Sequence, residues 1–199
     1  MATPPDTSLK KRIFDAFGSR PRPVRSQILR SAVGREGDRL RDLLAGKTPA
    51  ELASGDLRTE VSGNLWMLAP GAFLYFLPGF VEAALESYAS VSILVSELVG
   101  ALTEPARTDI TEALDRVAKI PPALGWPSEM TDILRKQQLE WFDSGASAAI
   151  FHERFDSLTH AEGAAILAFL EALWEGHGVD FPFGEPQIAI DRYWSRFRM

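Results

Sequence analysis

Across its 199 residues the chain has no cysteine. Disulfide scaffolds, thiolate zinc sites and cysteine nucleophiles are therefore excluded. Histidine is scarce, with only His152, His160 and His177. Alternation of apolar and polar residues never persists over five positions, which leaves little from which to build a sheet. Charge is missing from residues 61–81, a gap of 21 between Glu60 and Glu82. That length suits a membrane helix, which needs about 20 apolar residues. The gap nevertheless contains Pro70-Gly71 and Pro78-Gly79, and Ser62, Gly63 and Asn64 stand near its start. Two proline breaks in a lone span, with only Arg58 set against Glu60, Glu82 and Glu86 at its edges, argue against insertion. The opening MATPPDTSLKKRIF lacks the apolar core of a secretory signal, so the expected location is cytoplasmic, with no membrane partner.

What is present points to helices. Apolar residues make up 46% of the chain and charged ones 24%, so a packed core is expected rather than disorder. Leu9, Ile13, Phe14 and Phe17 line one face of a helix over Ser8–Phe17 that Gly18 ends. Thr48-Pro49-Ala50-Glu51 is a capping box with proline at the first helical position. Residues 24–45 read as one or two helices interrupted near Gly34 and Gly37. Further helices are predicted at about 91–99, 104–119, 129–143 and 187–197, with IPPALGWP (120–127) as a break. Met130, Ile133, Leu134, Gln137 and Trp141 fall in register on the 129–143 helix. Thr159 and Glu162 cap a helix striped by Ile166, Leu167, Leu170, Leu173 and Trp174, with Gly176 as its stop. The fold class is all-α: a single compact multi-helix domain over 1–199 with a buried aromatic central segment. The uncharged run supplies that segment in two pieces broken at the Pro-Gly steps, burying Trp66, Phe73, Phe76, Leu77 and Phe80. The second piece continues through Val81, Ala84, Leu85 and Tyr88. An aromatic pocket around the Tyr75 hydroxyl is the competing reading of the same residues.

The stretch LWMLAPGAFLYFLPGF (65–80) resembles the hallmark of a family of uncharacterised bacterial helical proteins, a domain of unknown function. Its pattern is Leu-x-Pro-x-Ala-Phe-x-Tyr-Phe-Leu-Pro. Around it AFGSRPRP (16–23), AGKTPAEL (45–52), the late AILAFLEAL helix and AIDRYW (189–194) occur in similar order. Trp66, Pro70, Phe73, Tyr75, Phe76, Pro78, Phe80, Tyr193 and Trp194 carry the likeness. Ala69 and Gly71 stand where such proteins more often have Thr and Glu, which weakens the helix cap. The resemblance implies a helical cytosolic domain and confers no catalytic residues and no cofactor.

Charge is unevenly distributed. Residues 1–47 hold 11 Lys/Arg and 5 Asp/Glu, a net of +6, while 48–199 hold 10 and 22, a net of −12. A basic lobe (8–47) beside an acidic helical body (48–199) is the expectation. Arg20, Arg22, Arg25, Arg30, Arg35 and Arg39 are the candidate binding residues, for an acidic protein partner first and for nucleic acid as the alternative. No aromatics are interleaved for base stacking, and Glu36, Asp38 and Asp42 lie within helical reach of Arg35, Arg39 and Arg41. AGKT (45–48) lacks the glycine that a phosphate loop needs at position 41, which is Arg41. His152, Asp156 and His160 would share a face only on a continuous helix, which the Thr159 cap interrupts, so no metal site is expected. EGHGVDFPFGE (175–185) gathers Glu175, His177, Asp180 and Glu185 beside Phe181 and Phe183. His177 and Asp180 are the acid/base candidates there, against the simpler reading of a helix stop and a pinned loop. The balance favours a non-catalytic protein that acts through protein–protein contacts.

Overall fold

Helix caps and breakers written in the sequence set most element boundaries in the computed structural model, which describes residues 7–30, 34–120 and 127–198. Ten α-helices occur among the described residues, joined by short 3-10 turns and one π-turn over Leu57–Val61, and no strand is present among them. An isolated antiparallel bridge joins Leu29 to Leu68. None of the described helices is long and apolar enough to cross a membrane.

The chain divides into two compact units: Met1–Thr103 with Asp156–Met199, and Glu104–Phe155. In the first unit α1 (Thr7–Phe17) buries Leu9, Ile13 and Phe17 against α4 (Pro70–Glu86) and α9 (His160–His177). Helix α2 (Gly34–Ala45) starts at the first of the two predicted glycine interruptions and carries Gly37 inside it. The short α3 (Ser54–Asp56) leads into the π-turn, and α5 (Ser92–Leu102) packs on α4 and on α10 (Glu185–Arg192). The last predicted helix is shorter than its pattern: α10 ends at Arg192, and a 3-10 turn over Trp194–Phe197 follows. Trp194 is fully buried there, and its indole N–H donates to the Leu102 carbonyl at 2.6 Å.

The uncharged run forms the centre of this unit but not in two pieces. Helix α4 runs unbroken through Pro78. Proline removes one helical hydrogen bond, at a cost of about 3 kcal/mol, and burial on every side outweighs it. Phe73, Phe76, Leu77, Pro78, Gly79 and Phe80 are all buried, and the Phe76 and Phe80 rings lie 6.4 Å apart. The Pro-Gly step works as a seat rather than a break. A Cβ at Gly79 would collide with the Pro49 carbonyl oxygen, so glycine lets the capped 48–51 turn rest directly on the helix. Gly163 does the same on α9, where a Cβ would collide with the Phe197 ring.

Trp66 departs from the core expectation: it is 62% exposed. In the 3-10 turn Leu65–Met67 its two neighbours point inward, and the tighter turn sends the residue between them outward. Its indole N–H is held by the Gly63 carbonyl at 3.1 Å. Tyr88 also leaves the predicted stripe, because α4 ends at Glu86 and Tyr88 opens a 3-10 turn.

The second unit contains α6 (Arg107–Val117), α7 (Ser128–Asp143) and α8 (Ala146–Phe155). Gly145, at φ 79°, makes the tight α7–α8 turn. Ion pairs join α6 to α7 at Arg107–Asp143 and Arg135–Asp115 (3.1 and 2.8 Å). Most of the predicted break at 120–127 lies outside the described residues.

Candidate functional site

The basic lobe directs most of its cations into its own unit. Arg20 is the clearest case. Its guanidinium grips Glu162 through two nitrogens (2.5 and 2.9 Å) and reaches the Ser157 carbonyl at 3.1 Å. Glu162 is the buried N3 residue of the predicted cap on α9. Its carboxylate also accepts the Thr159 N–H (2.8 Å) and hydroxyl (3.0 Å). Burial opposes ionisation of this carboxyl, yet the Arg20 and Thr159 hydrogen bonds prevail and hold its pKa below the ordinary carboxylate value. The clamp ties the connector after α1 to the start of α9.

The other basic residues fall into place in the same way. Arg22 donates to the Ala45 carbonyl at the end of α2 (2.8 Å), where a cation also complements the helix dipole. Arg25 pairs with Asp42, Lys47 with Asp56, and Lys10 with Glu82 and Glu86. Arg12 donates to the Ala164 carbonyl at 3.0 Å. Arg30 is half-buried, and its backbone N–H bonds Met67 (2.9 Å). Arg35 and Arg39 are exposed one turn apart on α2, the helix that also carries Asp38 and Asp42. Of the six arginines, Arg20, Arg22 and Arg25 thus have partners within their own unit, and Arg35 and Arg39 stand exposed. Lys47 of the AGKT sequence is held by Asp56 at the close of a helix.

His177 and Asp180 do come together, and a residue that sequence reasoning left elsewhere joins them. His177 Nδ1 stands 3.4 Å from Asp180 Oδ2. The Tyr88 ring lies flat on the imidazole, with centroids 3.6 Å apart and planes 8° from parallel. The Tyr88 hydroxyl donates to Asp180, and burial together with that carboxylate raises the phenol to about 12. The only sequence signal for Tyr88 was a phenol near a helix end, which needs a partner. The cluster pins the turn after α9 to the turn after α4, with His177 half-buried and Asp180 exposed. Trp174 packs over Gly178 on the same turn. A shallow cavity of about 240 Å³ on α9 is lined by Leu9, Arg12, Ala168, Glu171, Ala172 and Glu175, and His177 does not line it. The geometry is that of a surface staple with a half-open imidazole.

His152 sits 3.5 Å from Glu104. Helix α8 ends at Phe155, and exposed His160 opens α9, so the spaced His-Asp-His series does not lie on one helix. Among the described residues no three His, Asp or Glu side chains are grouped to hold a metal ion.

The feature that periodicity placed correctly and burial did not is on α7. Met130, Ile133 and Trp141 share a helix face as predicted, yet they are 42%, 50% and 47% exposed. The opposite side of the helix carries buried Thr131 and the two residues paired with α6. Comparison with protein-family models, curated proteins and solved structures returns no match for this chain.

Proposed function

We propose that this protein works through protein–protein contacts made by the exposed face of α7, without chemistry of its own. The exposure of Met130, Ile133 and Trp141 on one stripe carries the reading. Large apolar side chains grouped on one face mark interaction sites, whereas single ones are ordinary surface. Tryptophan and methionine are enriched where interfaces form. The test is an Ile133→Lys, Trp141→Ser double variant. It retains its helical circular dichroism and loses the partner that the unaltered chain co-purifies. Retained binding would reject the α7 face.

An acidic protein partner on α2 is the second reading, supported by the exposure of Arg35 and Arg39 one turn apart; nucleic acid is the alternative ligand for the same pair. Either predicts binding that weakens steeply with salt and is lost in Arg35→Ala, Arg39→Ala. Failure to bind at low salt ends it. A cytoplasmic setting and the bacterial-family likeness at 65–80 and 189–194 belong to the same proposal. In it the hallmark residues serve folding: Phe73, Phe76, Phe80 and Trp194 are buried.

A further inference from the structure

We infer that the α7 face takes a second copy of this chain, packed antiparallel about a twofold axis at Gln137. The inference rests on the reading of α7 as a contact face and names its partner.

Met130, Ile133, Gln137 and Trp141 lie within about 80° of the helix circumference at 3.6 residues per turn, and all four are exposed. Gln137 is at the middle of the exposed stretch, with Ile133 four residues before it and Trp141 four after. A twofold axis there places each Ile133 opposite the other copy's Trp141, about 6 Å from the axis along the helix. Met130 then reaches the outer edge of the same indole, a favourable sulfur–aromatic contact. The two Gln137 amides meet at the centre, where each offers both a donor and an acceptor to its twin. A single polar pair at the middle of an apolar seam fixes register.

Charge selects the antiparallel direction. Lys136 and Glu140 are exposed one turn apart on one flank of the stripe, 3.9 Å from each other. Under the twofold axis, the same flank of each copy meets. Lys136 lies one residue before the axis and the other copy's Glu140 three residues before it, about 3 Å apart along the helix. Two cross-pairs form. A parallel twofold would instead set this flank against the opposite one, which carries Leu134 and Gln138, and the two cross-pairs would be lost. Three apolar side chains per copy bury less than the roughly 800 Å² per partner of a standard stable interface, so the pairing is weak and reversible.

Sedimentation velocity from micromolar to millimolar concentration tests this on the full chain. The average mass climbs from 22.0 kDa toward twice that value, and Ile133→Lys stays at the monomer value throughout. Lys136→Glu alone and Glu140→Lys alone each place like charges across the seam and stay monomeric. Mixed in equal amounts, these two variants pair with each other and the mass rises again. A wild type that stays monomeric at millimolar concentration, or single charge variants that associate as well as wild type, would overturn the inference. A photocrosslinker at Gln137, activated in native cells, separates the two levels of the argument. An adduct at twice the chain mass supports self-pairing. Adducts only with another protein reject self-pairing and keep α7 as a contact face, and no adduct at all removes both.

Discussion

The two units handle apolar residues in opposite ways. In the larger unit α1, α4, α5 and α9 bury most of their aromatic and aliphatic side chains, with Phe73, Phe80, Leu94, Phe169 and Trp194 inaccessible to solvent. Of the large apolar residues described on these four helices, only Ile93 and Trp174 are exposed. In Glu104–Phe155 the buried apolar side chains among the described residues are Leu114, Phe151 and Phe155, while Ile120, Met130, Ile133 and Trp141 stay exposed. Its helices are cross-linked by half-exposed ion pairs such as Arg107–Asp143, which contribute about 0–1 kcal/mol each. Spacing tells which residues share a helix face. It does not tell what covers that face. One unit has hydrophobic substance to fold around, and the other has hydrophobic substance left over.

Substitutions can break or sharpen this contrast. Phe76→Ala, in the middle of α4, is expected to cost about 3–5 kcal/mol by chemical denaturation; a loss near zero would dissolve the larger unit's core. Arg20→Ala strands the buried Glu162 carboxylate and should cost about 3 kcal/mol. It should also change the acid limb. Glu162 has a lowered folded pKa, so its contribution is complete above the ordinary carboxylate value and fades as pH falls through the folded one. In Arg20→Ala that acid-dependent fraction shrinks, and an unchanged stability-versus-pH curve would contradict the clamp. Thr159→Ala removes the α9 cap and should cost about 1 kcal/mol. The Tyr88 staple is gentler. Its phenol is raised to about 12, so its stabilisation holds below the ordinary tyrosine value and disappears as pH climbs toward that figure. Asp180→Asn should lower the Tyr88 transition seen by ultraviolet absorbance. Smallest of all, Trp141→Ser on α7 should shift stability by no more than about 0.5 kcal/mol.

Local signals were legible in the chain. The Thr159–Glu162 box closes in both directions as read, and at Thr48–Glu51 the return half forms, with the Thr48 N–H donating to Glu51 at 2.7 Å. The aromatic centre of α4 and the all-helical class were equally plain. Long-range partners were not. Arg20 looks like any arginine of a basic lobe until the fold brings it to Glu162, 142 residues away. Pro78 reads as a break because its lost hydrogen bond is local, whereas the packing that overrides it comes from other elements. Hydrophobicity alone points Trp66 inward, and the 3-10 turn Leu65–Met67 reverses its side.

The central claim, that α4 is core and α7 is a contact face, is tested most directly by measuring one variant in two ways. Ile133→Lys should keep the wild-type denaturation midpoint at low protein concentration and remain monomeric at millimolar concentration, where wild type associates. A midpoint lowered as far as that of Phe76→Ala, with association unchanged, would show that Ile133 belongs to a core and that the account of α7 is wrong.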